Sequence, residues 1–292
     1  MKKHLLTALV IIAVCPLWAV DANIQVFYDF GSLWNSNKCQ NHRSERVTTT
    51  VEFFHPDNWG STYFFVDFDY SVNKNDPEHT PFGAYWEISR SFNFWKQSKV
   101  KDLSIHLEYD GGLGTFGYRQ APEEDQKIGG FGVNHAVLVG PEYFLHTADY
   151  KNTFTLQLLF RYAATKPNMW HYKEGGQWVH QSGNQVPLQF TFVWACKDFC
   201  TAKGLTFCGF FDIYGDRANV NKWEKVDGQW QAHTVGPKQY CVFLSEPQLW
   251  YSIGQWFKCP NLCIGAEVEI STNFTGEGWM VNPCLGLRWN FL

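Results

Sequence analysis

Acidic side chains recur two residues apart at several places in this 292-residue chain. Asp67 and Asp69 form one such pair, and Glu267 and Glu269 form another. Two carboxyl groups on one face can act as general acid and base, or they can bind hydroxyl and amine groups of a polar solute. Which of these uses applies depends on the secondary structure that carries the pairs.

A spacing of two is the period of a β-strand, whose successive side chains point to opposite faces. At the end of the chain, Leu285, Leu287 and Trp289 fall on one face, whereas Arg288 and Asn290 fall on the other. An apolar row opposite a charged row suits a membrane barrel, with lipid outside and a wet lumen inside. The chain is therefore predicted to contain lipid-facing strands.

Alternation of this kind predicts twelve strands between Ile24 and Phe291. The segments after the odd strands are mostly long, namely 31–45, 71–82, 111–130, 163–185 and 216–239. Long outer loops, short periplasmic turns and an even strand number are typical of bacterial outer-membrane proteins. We predict an all-β fold, a twelve-stranded antiparallel up-and-down transmembrane β-barrel. A soluble β-sandwich, which also alternates, is the alternative.

The first residues predict export. Lys2 and Lys3 precede a short apolar run that ends near Trp18, which is typical of a cleaved signal peptide over residues 1–22. No later run reaches the ~18 apolar residues of a spanning helix. Residues 23–292 then form the barrel domain in the bacterial outer membrane, and the net charge of -4 argues against a nucleic-acid partner.

In a barrel the polar faces of the strands line the lumen. A lumen of acids and rings predicts binding or passage of small polar solutes, because rings stack on flat groups and carboxylates bind hydroxyls and amines. The predicted substrate-binding residues are Phe27, Asp29, Asp67, Asp69, Glu87, Glu108, Arg161, Asp212, Glu267, Glu269 and Arg288. Glu52, Asp110, His106, Tyr63, Phe65 and Tyr214 are expected on the same face.

Arg90 is the exception among the strand charges, since it falls on the apolar face of its strand. A charge there predicts either a bulge or a position near the lipid headgroups.

Two Cys-x3-Cys pairs, Cys196 with Cys200 and Cys259 with Cys263, leave three interpretations open. An exported protein can form disulfides from them, they can remain free thiols, or they can bind zinc. Disulfides are the first expectation, and no metal site is predicted.

Motifs for catalysis are missing from the sequence: it has no Gly-x-Ser-x-Gly, no His-Glu-x-x-His and no glycine loop for phosphate. We therefore expect no enzyme and no cofactor. Two alternatives to a channel stay open. One is a barrel enzyme acting on lipid or glycan, and the other is a structural or adhesive barrel with Trp-rich outer loops.

Four stretches carry a family resemblance. They are residues 24–31, residues 63–69 after the Trp59-Gly60 turn, residues 243–251 and residues 282–289. In order and spacing they resemble the nucleoside-specific channel-forming family, the Tsx-like and OmpK-like outer-membrane proteins. The resemblance implies a monomeric barrel that binds nucleosides in a narrow channel, with Phe27, Asp29, Asp67, Asp69, Glu87 and Arg288 as lining residues. The chain departs from that family in its cysteines and in the long segments 163–185 and 216–239.

Overall fold

The structure is a computed structural model that describes residues 21–31, 46–71, 80–118, 127–163, 176–180, 188–274 and 278–291. Its strands are β1 Asp21–Asp29, β2 Arg46–Asp57, β3 Gly60–Ser71, β4 Thr80–Phe92, β5 Leu103–Tyr118, β6 Lys127–His146, β7 Asn152–Ala163, β8 Gly176–His180, β9 Leu188–Lys197, β10 Leu205–Val226, β11 Gln229–Ser245, β12 Gln248–Ser252, β13 Leu262–Thr272 and β14 Trp279–Asn290. One-turn helices, Phe199–Thr201 and Gly254–Phe257, lie in two of the connections. The predicted signal peptide lies outside the described residues except for its last two positions, which belong to β1.

The strands form one closed antiparallel sheet. β1 pairs with β2 on one side and with β14 on the other, and β9 pairs with β10. The strands β11 and β12 are both flanked by β10 and β13, so together they occupy one strand position in the barrel wall. β8 pairs with β10 alone. The wall therefore has twelve strand positions, which confirms the predicted fold class.

The interruption between β11 and β12 falls at Glu246 and Pro247, where the register of pairing does not change. Proline lacks the N–H that a central strand needs, so the ladder loses one bond there. Gly209 on β10 approaches this point with a positive φ of 149°, and a Cβ on it would lie 2.9 Å from the Pro247 Cα. Glu246 thereby keeps the inward direction of its even-numbered neighbours.

Apolar and polar side chains separate onto the two faces of the wall. Ile88, Leu158 and Leu285 are 50%, 48% and 59% exposed, whereas inward-facing Gln25 and Asn282 are 0% and 1% exposed. A continuous exposed apolar belt is unusual in water but is the surface that lipid requires. The two faces thus favour a membrane barrel over a soluble sandwich.

The terminal strand closes the barrel. β14 pairs with β1 from Asn290 opposite Asn23 to Cys284 opposite Asp29. Leu285 and Leu287 point outward and are exposed, while Cys284 is buried inside.

Arg90 lies near the end of the barrel that carries the short turns, such as β2–β3 and β4–β5 (the rim of short turns). Its own pairing has no bulge. Its guanidinium donates to Thr62 Oγ1 at 2.8 Å and pairs with Asp57 Oδ2 at 2.8 Å. Asp57 is the last residue of β2, directly before a turn. The second predicted alternative, a position near the headgroups, fits this placement.

Two predicted loops are wrong. β5 and β6 extend over most of 111–130 and remain paired as far as Tyr118 with Lys127. Within 216–239, β10 and β11 continue as a hairpin whose turn is Asp227-Gly228, both with positive φ. The polar composition suggested loops, but strands that project beyond a bilayer need no apolar face. The segment 163–185 lies outside the described residues apart from Ala163 and β8.

The described residues contain no helix long and apolar enough to cross a membrane.

Candidate functional site

Every predicted lumen residue lies on the inward face of its strand. Phe27, Asp29 and Arg161 are buried at 4%, 7% and 5% exposure. The others are partly buried, namely Asp67, Asp69, Glu87, Glu108, Asp212, Glu267, Glu269 and Arg288. The strand period therefore placed these side chains correctly, and their role in binding a solute stays a prediction.

Neutral donors, rather than cations, hold most of the lumen carboxylates. Thr48 Oγ1 donates to Asp69 at 2.7 Å, and Gln248 Nε2 donates to Glu267 at 2.6 Å. The same pattern recurs in Thr50 to Asp67, Asn23 to Glu52, Tyr85 to Glu87, Thr191 to Asp212 and Asn282 to Glu269. A hydroxyl or an amide orients a carboxylate without cancelling its charge. The lumen wall consequently carries more acidic side chains than basic ones.

The two predicted lumen arginines lie against aromatic rings. The Arg161 guanidinium carbon is 4.7 Å from the ring centroid of Tyr214, and that of Arg288 is 4.5 Å from the centroid of Trp250. At these distances the cation is attracted to the face of the ring. Both guanidinium groups are thus held at the wall.

An aromatic row runs across β3 and β4 on the inner wall. The ring centroids of Tyr63 and Phe65 are 6.2 Å apart, and those of Phe65 and Tyr85 are 5.9 Å apart. The Tyr63 hydroxyl donates to Glu52 at 3.1 Å, and the Tyr85 hydroxyl donates to Glu87 at 2.8 Å. Rings and carboxylates therefore alternate along one strip of the lumen.

Trp250 forms a second aromatic cluster with Phe27, at 5.5 Å between ring centroids. Glycines make room for it, because a Cβ on Gly265 would lie 2.4 Å from Trp250 and a Cβ on Gly286 would lie 2.7 Å from Phe27. Cys263 and Cys284 pack in the same cluster, with Cys208 beside them. An indole that is only 1% exposed thus lies flat over the small residues of β13 and β14.

A buried polar network joins β4 to β7 through His106. Its Nδ1 lies 2.9 Å from Glu142 Oε2 and 3.2 Å from Ser91 Oγ, and its Nε2 lies 3.1 Å from Glu108 Oε2. Gln157 Nε2 donates to the same Glu142 oxygen at 2.8 Å. Because each ring nitrogen faces a carboxylate, both act as donors in this geometry and the imidazole carries a positive charge. His106 thus cross-links two acids.

Several lumen residues were missed from the sequence. Ser91, Glu142, Gln157, Glu246 and Trp250 all belong to the inner wall. Alternation would have indicated Ser91, which lies on the same face of β4 as Glu87. It would also have indicated Gln157, which shares a face of β7 with Arg161. Glu142, Glu246 and Trp250 lie where apolar alternation is interrupted, around Gly140-Pro141 and at Pro247.

The predicted disulfides are not present in the structure, where Cys196, Cys200, Cys259 and Cys263 are free. Cys263 points into the lumen cluster, whereas Cys259 belongs to the turn before β13. Cys196 is the penultimate residue of β9, and Cys200 lies in the following turn with φ 52°. Each pair is divided between a strand and a turn, which close sequence spacing does not reveal.

The rim of short turns carries its own ion pair. Lys151 Nζ lies 2.6 Å from Asp198 Oδ2, linking the β6–β7 turn to the β9–β10 turn. The hydrogen bond from Lys151 lowers the pKa of Asp198, and Asp198 in turn raises the pKa of Lys151. Both side chains are substantially exposed, so salt screens this pair.

Closed strand pairing, an apolar exterior and an acidic, aromatic lumen define a transmembrane β-barrel protein. The chain belongs to the family described as "Domain of unknown function (DUF5020)", whose profile matches residues 21–291. No curated protein matches the sequence.

Similar solved structures are outer-membrane barrels. The transport unit of the autotransporter AIDA-I from Escherichia coli is 12% identical, with a TM-score of 0.38 over 95% of this chain and 92% of that one. LpxR from Salmonella typhimurium is 11% identical, with a TM-score of 0.38 over 92% and 99%. The outer membrane channel DcaP of Acinetobacter baumannii is 9% identical, with a TM-score of 0.29 over 94% and 96%. Similarities this low carry no inference about substrate or activity.

Proposed function

We propose that this protein is a narrow outer-membrane channel for small polar solutes that carry hydrogen-bond donors or positive charge. Nucleosides, which combine a flat base with ribose hydroxyls, are the proposed solute class. The observation that carries the proposal is the set of lumen carboxylates oriented by neutral donors. Their oxygens can still accept hydrogen bonds from a solute.

The acids are spread around the wall, from Glu52 on β2 to Glu269 on β13. Such a lumen attracts cations and donor groups and repels anions, since low-dielectric walls focus the field along the passage. Arg161 and Arg288 lie against Tyr214 and Trp250, and the lumen still carries more acidic side chains than basic ones.

The row of Tyr63, Phe65 and Tyr85 supports the flat part of the solute. A planar ring can stack on an aromatic face while its substituents donate to Glu52 or Glu87. A twelve-stranded barrel is also narrower than the 16–18-stranded porins with an open aqueous channel. Close contact with one small solute at a time fits these dimensions.

Planar bilayer recording tests the proposal with the full chain, after heat-modifiable gel mobility has shown that the barrel is folded. We expect cation preference in a KCl gradient, and reduced current when adenosine is added. The double variant Asp67→Asn with Asp69→Asn should weaken the cation preference. Asp149→Asn, in the β6–β7 turn, is the matched control and should leave it unchanged.

The outcomes separate the parts of the proposal. A folded barrel without conductance, or with anion preference, contradicts the channel. Conductance that adenosine does not reduce contradicts nucleosides alone. Wild-type conductance in Asp67→Trp contradicts placement of this residue in the conducting path.

A barrel hydrolase is the second candidate, since Ser91 Oγ lies 3.2 Å from His106 Nδ1. The local geometry favours it less. Ser91 donates to Glu142 at 2.9 Å, and both His106 nitrogens face acids, so the ring has no free lone pair to accept a proton. Labelling of the folded protein by a fluorophosphonate, lost in Ser91→Ala, would favour this candidate over a passive channel.

A further inference from the structure

Three lumen carboxylates converge between β4 and β5. Glu87, Glu108 and Asp110 each offer one oxygen, and these oxygens lie within 4.8 Å of one another. Glu87 is directly opposite Asp110 across the strand pair, and Glu108 is opposite Ser89. The β5–β6 pairing shifts register between Asp110 and Gly112, and such irregularities often redirect a side chain.

Neighbouring side chains orient two of the three carboxylates. Tyr85 donates to Glu87 Oε1 at 2.8 Å, and His106 Nε2 donates to Glu108 Oε2 at 3.1 Å. Each of these bonds occupies one oxygen of its carboxylate. Outer contacts of this kind are what fix metal-binding carboxylates in place.

Asp110 supplies an independent observation. Its residue is only 5% exposed, and its Oδ1 is buried with no hydrogen-bond partner. A buried carboxylate oxygen without a donor is costly, and such atoms in native proteins call for a ligand or an ion. The unpaired atom belongs to the residue that faces both Glu87 and Glu108.

We propose that Glu87, Glu108 and Asp110 bind a divalent cation of the calcium type inside the lumen. Three hard carboxylate oxygens suit Ca²⁺, which accepts irregular oxygen ligand sets and completes its shell with water. Arg161 and Asp212 also lie near Asp110. Arg161 offsets one of these carboxyl groups and Asp212 adds a fourth, so acidic groups still outnumber basic ones around the site.

This site does not depend on the proposed channel, because a bound cation would stabilise an open or a closed barrel equally. Binding is therefore measured without any transport assay. The probe is CaCl₂, titrated calorimetrically into the folded, EDTA-treated full chain in detergent. Tb³⁺ luminescence excited through Tyr85 gives a second readout, with displacement by Ca²⁺.

We expect saturable binding of one Ca²⁺ per chain. Asp110→Asn and Glu108→Gln should each weaken affinity by about ten-fold or more, the loss typical of altered metal sites. Asp149→Asn removes a carboxylate in the exposed β6–β7 turn, so it is the control and should bind as the wild type does. If Asp110→Asn fails to fold, Glu108→Gln decides. No saturable binding, or an equal loss in Asp149→Asn, overturns the site.

Discussion

The guanidinium of Arg288 lies over the indole of Trp250, with 4.5 Å between the guanidinium carbon and the ring centroid. This contact spans two strands, β14 and β12, and it depends on Gly265 and Gly286 beneath the rings. The lumen arginine is therefore part of the wall. Gly265 on β13 and Gly286 on β14 leave the space in which Trp250 packs against the wall.

Gly265→Ala should destabilise the barrel, because the added Cβ would meet Trp250 at 2.4 Å and the Leu249 carbonyl oxygen at 2.6 Å. Overpacking of this kind costs about 1–3 kcal/mol. Urea unfolding in lipid vesicles, followed by Trp fluorescence, measures the change. Gly215→Ala is the control, because no atom lies within 4 Å of the added Cβ. Equal losses in both variants would contradict the close approach of Trp250.

His106→Gln should be more damaging than its size suggests. Removing the imidazolium leaves Glu108 and Glu142 without their shared cation, and breaking a buried ion pair costs about 3–5 kcal/mol. His135→Gln is a matched control, because His135 contacts the outward-facing Tyr109 hydroxyl at 2.7 Å. The same unfolding assay compares the two, and a small effect at His106 would argue against its charged, bridging role.

Leu158→Arg tests the lipid-facing surface. Leu158 lies mid-strand in β7 and is 48% exposed, so an arginine there faces hydrocarbon and costs about 2–4 kcal/mol in a bilayer. Val226, also exposed, lies beside the Asp227-Gly228 turn at the far end of β10. Val226→Arg should leave the free energy of unfolding almost unchanged. Similar costs for both would contradict the position of the membrane belt.

The Lys151–Asp198 pair should contribute a salt-sensitive stability that depends on pH. The lowered pKa of Asp198 means that its contribution is present above the pKa of an unfolded aspartate and is lost as the pH falls through the folded value. The raised pKa of Lys151 means the reverse at high pH, where the contribution is lost as the pH rises through the folded value.

Lys151→Met should accordingly lower the thermal midpoint near neutral pH and have less effect in acid or in high salt. Gel mobility of samples heated at different pH values measures this midpoint. Lys99→Met, in the β4–β5 turn, should show no comparable pH dependence. An effect of Lys151→Met that persists unchanged in acid would indicate a role other than the ion pair.

Much of the wall could be predicted from strand alternation. Asp67, Asp69 and Glu87 were assigned to the lumen because each lies opposite an apolar row on its strand. Residues in broken patterns, such as Glu142 near Pro141, were missed. The extensions of β5, β6, β10 and β11 were mistaken for loops, because strands beyond the bilayer are polar on both faces.

The sequence by itself determined the number of strands in the barrel wall and the face on which most side chains lie, because a period of two is a local property of the backbone. Only the tertiary structure decided which side chains meet across the barrel. Trp250 with Arg288, and Glu87 with Asp110, are brought together by the register of neighbouring strands. Those depend on pairings between distant segments, which no local pattern records.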